Sequence, residues 1–246
     1  MPKQSPLNLI VLQHAEVEHP GIFSDFFEED GFRLHTVELD QGESLPELDP
    51  FDVMVVMGGP QDVWQEDEYP WFRPEKEAIR KFVTEMQRPY LGICLGHQLL
   101  ADALGGKVAP GKIPEVGVMP VAKTGDGQAD QVVGSLSNPL QVLQWHSAEV
   151  TELPPGGAVL AGSDACRIQA LRVGKHAYGF QFHVEVTSRT VTDWAVIPEY
   201  ARALQRAMGP DGVETLGSQV SNELPNFNRN ARILYDGLKR AWLGRD

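Results

Sequence analysis

The sequence predicts an open, doubly wound α/β sheet, and three observations carry that expectation. Short apolar runs recur through the first hundred residues, at Leu9–Leu12, Leu34–Leu39, Val53–Met57 and Pro89–Ile93. The clearest of them are continuous rather than alternating, the pattern of strands covered on both faces in a parallel sheet. Amphipathic stretches of helical spacing separate or follow them, and strand–helix–strand repetition places a site outside the carboxyl ends of the strands. A length of 246 residues suits one such domain with added segments.

Leu9–Leu12 reads as the first strand, Ile22–Glu29 as a short acidic helix, Leu34–Leu39 as the second strand and Val53–Met57 as the third. Pro74 opens a helix over Glu75–Gln87, where Ala78, Ile79, Phe82, Val83 and Met86 recur at three and four residues; proline is favoured in a first turn. Pro89–Ile93 is the fourth strand, and Leu95–Leu104 a helix closed by Gly105-Gly106. From Val108 to Phe182 the expectation is short strands between turn clusters such as Thr124-Gly125-Asp126-Gly127 and Leu153-Pro154-Pro155-Gly156-Gly157, with no helix. Helical spacing returns over Val191–Met208 and Asn228–Trp242, across a gap rich in Gly, Pro and Asn. The expected organisation is a site-bearing domain over residues 1–190 and a helical extension, 191–246, packed on the same domain.

Lys and Arg number 21 against 34 Asp and Glu, a net charge of −13. That average field repels a phosphate backbone or an anionic bilayer, so neither nucleic acid nor a membrane is expected as partner. No apolar stretch approaches the ~20 residues of a membrane-spanning helix, and the run at Leu9–Leu12 is too short for a signal-peptide core. Two cysteines, Cys94 and Cys166, exclude a disulfide scaffold and fit a reducing compartment. The cytoplasm is the expected location.

The segment with most chemical content is Gly92-Ile93-Cys94-Leu95-Gly96-His97-Gln98. A strand runs straight into a helix with a thiol on the turn, the nucleophile-elbow pattern with sulfur in place of a hydroxyl. Flanking glycines permit a sharp turn that a Cβ would obstruct, and the positive end of the helix favours the thiolate. The plainer alternative is an inert core cysteine at a strand end, which is the reading adopted for Cys166. A nucleophile needs a base and the base an orienting group. In Phe180-Gln181-Phe182-His183-Val184-Glu185, strand alternation puts His183 and Glu185 on one side. His97 competes by proximity but lies in the helix beyond the elbow. A metal reading of His183 and Glu185 is poor, because no second His or Cys stands at ligand spacing. Finally, Met57-Gly58-Gly59-Pro60 ends the third strand with backbone N–H groups that could face the elbow as part of an oxyanion hole.

Other motifs fail on inspection. Gly106–Lys112 starts like a phosphate-binding loop, but Ile113 replaces the required Ser or Thr. Trp64, Tyr69, Trp71 and Phe72 read as packing.

Together the three segments resemble the triad-type (class I) glutamine amidotransferases, most of all free-standing members similar to the amidotransferase domain of GMP synthase. The resemblance rests on Gly58-Gly59-Pro60, Gly92 to Gln98 and Gly179 to Glu185, and spans about Leu7 to Arg189. It implies a flavodoxin-like, mostly parallel open sheet with helices on both faces. It also implies Cys94 as nucleophile, His183 as base and Glu185 as orienting acid. Gly58 and Gly59 would form the substrate-binding turn, Gly59 and Leu95 the oxyanion N–H groups, and Gln98 would hold glutamine. Trp145 and His146 fall in a segment similar to the one whose backbone holds the substrate's amino-acid end, although Ser147-Ala148-Glu149 departs from the usual Gly-Asp. Val184 stands where the family has proline, which loosens that turn. No metal and no cofactor are implied.

In the family, ammonia released from glutamine passes to a synthase domain or to a separate synthase partner. The residues after Arg189 are too few for an ATP-using synthase, so the acceptor chemistry is expected in another chain or not at all. Two other readings stand beside this one: a γ-glutamyl peptidase or hydrolase with the same acyl-enzyme chemistry, and a non-catalytic binding module on the same scaffold.

Overall fold

In the computed structural model, which describes residues 6–244, Leu9, Ile10, Val11 and Leu12 are wholly buried in strand β1 (Asn8–Gln13). The outermost residues of the two expected segments, 1–5 and 245–246, lie outside the described residues. Leu9 and Val11 face one core with Phe23, Phe27, Tyr235 and Leu238, while Ile10 and Leu12 face another with Phe72, Ile79, Phe82 and Leu99. Alternation of Cβ direction along a strand divides a continuous apolar run between two cores. Helices therefore cover both faces of the sheet.

After β1 come helix α1 (Ile22–Glu29), β2 (Arg33–Glu38) and β3 (Val53–Val56). Helix α2 (Phe72–Arg80) begins before the expected start, so that Pro74 falls inside its first turn; a turn of π-helix, Lys81–Glu85, continues it. Next are β4 (Tyr90–Ile93) and α3 (Leu95–Ala103). The chain then forms β5 (Lys107–Lys123), α4 (Gly125–Ala129), β6 (Leu140–Glu152), β7 (Gly157–Gly162), β8 (Ala170–Val173) and β9 (Ala177–Phe180). It ends in α5 (Thr190–Trp194), α6 (Pro198–Met208) and α7 (Gly212–Leu243).

The nine strands of the described residues form one sheet in the order β2-β1-β3-β4-β9-β8-β7-β5-β6. The pairs from β2 through β9 are parallel, and those from β9 to β6 are antiparallel. The flavodoxin-like parallel half is thus extended by an antiparallel half into a mixed sheet. β9 returns from this excursion to lie beside β4, with Gly92 opposite Gly179 and Ile93 opposite Phe180. That return sets the carboxyl ends of β3, β4 and β9 side by side.

Three expectations are corrected. The region after Val108 contains a long two-stranded arm, β5 with β6, rather than short strands throughout. The Thr124-Gly125-Asp126-Gly127 cluster opens helix α4 instead of a simple turn: the Thr124 hydroxyl accepts from the Gly127 N–H at 3.0 Å, a helix N-cap. The Gly/Pro/Asn-rich gap is helical, so α7 runs unbroken through Pro225. Its buried residues Leu216, Val220, Phe227, Ala231, Leu234 and Leu238 make a stripe at helical spacing, first against the β5–β6 arm and then against α1 and the sheet. Burial of that stripe outweighs one exposed proline. No helix among the described residues is long and apolar enough to cross a membrane.

Candidate active site

Cys94 follows β4 at φ 51° and ψ −104°, a left-handed conformation that costs a side-chain-bearing residue of order 1–3 kcal/mol. Its N–H donates to Phe180 O at 2.8 Å, and its carbonyl accepts from the Gln98 N–H at 3.2 Å, which pins the turn. The cysteine itself thus carries the strained torsion, whereas the flanking glycines serve close approach. A Cβ on Gly92 would lie 2.3 Å from Gly96 O, and one on Gly96 would lie 2.0 Å from Val56 O.

His183 pairs with Leu143 in a single antiparallel bridge just beyond β9. Its Nδ1 stands 2.6 Å from Glu185 Oε1, and the Cys94 thiol lies near enough to help raise the pKa of the ring. The second carboxylate oxygen of Glu185 accepts from the Val184 N–H at 2.9 Å. A proline at 184 would have no such donor, so the departure at Val184 tightens the turn instead of loosening it. Burial lowers the imidazole's pKa, but Glu185 and the Cys94 thiol outweigh it and hold His183 well above its ordinary value. Trp194 of α5 packs edge-on against the ring, centroids 4.7 Å apart.

The three side chains meet beside a cavity of about 490 Å³. Gly59, Cys94, Leu95, Gln98, Trp145 and His146 all line it. A Cβ on Gly59 would come within 2.9 Å of the Leu95 side chain, so the loop after β3 lies directly on the elbow. Gly58 stands one layer back, its carbonyl 3.1 Å from His14 Nδ1 and its Cα against the Glu18 carboxylate, and it does not line the cavity. Gln98 Nε2 is committed to Ala148 O at 3.2 Å and Gln181 Oε1 at 3.0 Å, and Gln181 Nε2 faces Cys94 Sγ at 3.6 Å. The ring of His146 is turned into the wall, with Nδ1 3.0 Å from Ala148 O. His97 packs against Gly179 away from the cavity, and burial pushes its pKa down to about 4. Burial, reinforced by Glu149, pushes the Cys166 thiol up.

Several contributors leave little or no trace in the sequence. Gln181 is the most legible of them, since it shares the i, i+2 side with His183 and Glu185. Tyr200 of α6, which lines the cavity and donates to the buried Glu18 at 2.5 Å, has no local signal. Arg202 and Arg206 of α6 also line the mouth. Burial raises the pKa of Glu18, partly opposed by His183 and the Tyr200 hydrogen bond.

Strand-end loops, a strained thiol and a buried imidazole–carboxylate pair on this sheet define a class, and sequence comparison names it. The family model of class-I glutamine amidotransferases matches residues 25–195, and the chain belongs to that family. Over 182 residues it is 35% identical to the glutamine amidotransferase-like protein YfeJ of Salmonella typhimurium, covering 72% of this chain and 75% of that one. Over 154 residues it is 34% identical to a glutamine-hydrolysing GMP synthase subunit of Sulfolobus acidocaldarius, covering 62% and 77% of the two chains. A crystal structure of a glutamine amidotransferase from Thermotoga maritima, 28% identical, superposes with a TM-score of 0.83 over 97% of this chain and 99% of that one.

Proposed function

We propose that the protein hydrolyses the γ-amide of glutamine through a γ-glutamyl thioester on Cys94. The observation that supports this most is the Cys94–His183–Glu185 chain of contacts at the edge of the cavity. Glu185 takes the Nδ1 proton's hydrogen bond, which leaves Nε2 for the thiol. The sulfur attacks the γ-carbonyl carbon, and the oxyanion is held by the N–H groups of Gly59 and Leu95. His183 delivers the thiol's proton to the departing nitrogen, so the C–N bond breaks and ammonia leaves. A water, deprotonated by His183, then attacks the thioester; the C–S bond breaks and glutamate is released. Ammonia passes to a separate synthase partner. The relatives named as glutamine-hydrolysing subunits of GMP synthase support that step.

One observation favours a second reading, hydrolysis of γ-glutamyl peptides or conjugates. The cavity has the volume of sites that take drug-sized ligands, and α6 of the same chain walls it with Arg202 and Arg206. Cations there suit a carboxylate on the amine side of a γ-glutamyl bond. Measuring kcat/KM for glutamine and for γ-glutamyl dipeptides separates the two. A diazo-ketone analogue of glutamine should label Cys94 once per chain and spare Cys166. Labelling at Cys166 alone, or no turnover of either substrate class with or without a synthase present, overturns the proposal.

A further inference from the structure

We propose that Glu115, His146 and Cys166 form a zinc site in the wall behind the cavity, separate from the Cys94 triad. Glu115 on β5 stands opposite His146 on β6, and Cys166 reaches them from the loop between β7 and β8. All three are buried, and one ligand atom from each lies within 4.8 Å of the others. His146 Nε2 and Glu115 Oε2 are 3.1 Å apart.

The proton arrangement points to a cation. His146 Nδ1 lies 3.0 Å from the Ala148 carbonyl, which can only accept, so Nδ1 carries the hydrogen. In the neutral ring the lone pair of Nε2 would then face a carboxylate oxygen. That contact is short enough for a hydrogen bond but lacks the alignment of one, and Nε2 has no hydrogen-bond partner. Two acceptors in a buried space need a positive centre between them. Backbone carbonyls that fix the far nitrogen of a ligating histidine are a regular feature of metal sites.

The surroundings are built in the same sense. Ser163 Oγ donates to Glu115 Oε1 at 2.9 Å, and Gln169 Nε2 donates to Oε2 at 2.6 Å, which fixes the carboxylate. The Ser163 hydroxyl also accepts from the Cys166 N–H at 3.0 Å, which holds the loop that carries the sulfur. A nitrogen, a sulfur and oxygens in one buried cluster suit zinc and not magnesium or calcium, which take oxygen alone. Bound zinc holds a thiol as thiolate. Pro114, Val116 and His146 line the cavity, so the cluster lies directly behind its wall. The ion would staple β5, β6 and the β7–β8 loop, and so set the position of the Trp145–Ala148 wall.

The test uses the full chain carrying Cys94→Ser, which removes the other thiol. Equilibrium dialysis should give one zinc per chain, with a rise in Tm, and cobalt should give a thiolate charge-transfer band. Adding Cys166→Ser should abolish the band, and Glu115→Gln should weaken zinc binding at least ~10-fold. The unmetallated variants are checked by melting, and Glu115→Gln decides if Cys166→Ser does not fold. Absence of zinc binding to the Cys94→Ser chain overturns the site. So does a cobalt band that survives Cys166→Ser in a folded chain.

Discussion

Glu185 is held from two directions, by His183 Nδ1 at 2.6 Å and by the Val184 N–H at 2.9 Å. Its carboxylate therefore needs no further partner to keep the imidazole in place, and in the proposed mechanism it orients and stabilises the charged ring. Three substitutions should separate the roles. Cys94→Ala and His183→Ala each remove a member of a unit and should abolish turnover to a similar extent, because such effects are not additive. Glu185→Gln should leave a slow enzyme that still acylates, with turnover lowered by roughly 10²–10⁴-fold. The check is turnover at matched folding, followed by thermal melting. Full activity in a folded Glu185→Gln chain would transfer the orienting role elsewhere. Glu149 is a poor substitute, since it is not among the groups that shift His183.

Among the elements, the helices after β9 complete the site from outside the parallel sheet. α5 brings Trp194 against His183, and the Trp194 Nε1 donates to Val17 O at 3.0 Å, which ties this helix to the loop after β1. α6 brings Tyr200 to the cavity and, through Glu18, to the back of the Gly58 turn. α7 supports α5 and α6 with its amino-terminal half and carries Pro225 on an exposed face. A proline there removes a donor to the Ser221 carbonyl and crowds it. Pro225→Ala should accordingly stabilise the protein by about 2 kcal/mol, somewhat less than the full helix-interior cost because proline also restricts the unfolded chain. Thermal melting measures this. An unchanged or lower Tm would mean that the proline at 225 carries no net cost in α7.

For the molecule as a whole, two buried ionisable groups, His14 and Glu18, couple stability to pH in the same direction. His14 sits between Gly58 O and Glu75 Oε1, 3.1 and 2.9 Å away. Burial lowers its pKa, but Glu75 more than offsets this and leaves it above 6.5. A histidine raised on folding stabilises while protonated: the contribution is full below the unfolded value and fades as pH rises through the folded one. Glu18, raised above 4.5 by burial, acts with the same sign at lower pH, because the native state holds its proton longer. Tm should therefore fall as pH rises above about 6.5, and His14→Gln should flatten that slope. A wild-type Tm independent of pH in this window would mean that His14 binds its proton no more tightly in the folded chain than in the unfolded one.

At the same scale, the sequence alone determined the parallel half of the fold and the three strand-end segments of the site. β1 and β3 are legible because four consecutive apolar side chains can only be buried on two faces, and the elbow because Gly92, Cys94 and Gly96 encode a local steric requirement. These signals act over a few residues. Tertiary structure alone decided that β9 returns beside β4, which brings His183 to Cys94, and that α5 and α6 wall the cavity. It also decided that Gly58 stands behind the wall, that α7 continues through Pro225, and that Glu115, His146 and Cys166 converge. Each of those outcomes depends on burial shared by segments far apart in the chain, and no local pattern of residue types records which distant surface will cover them.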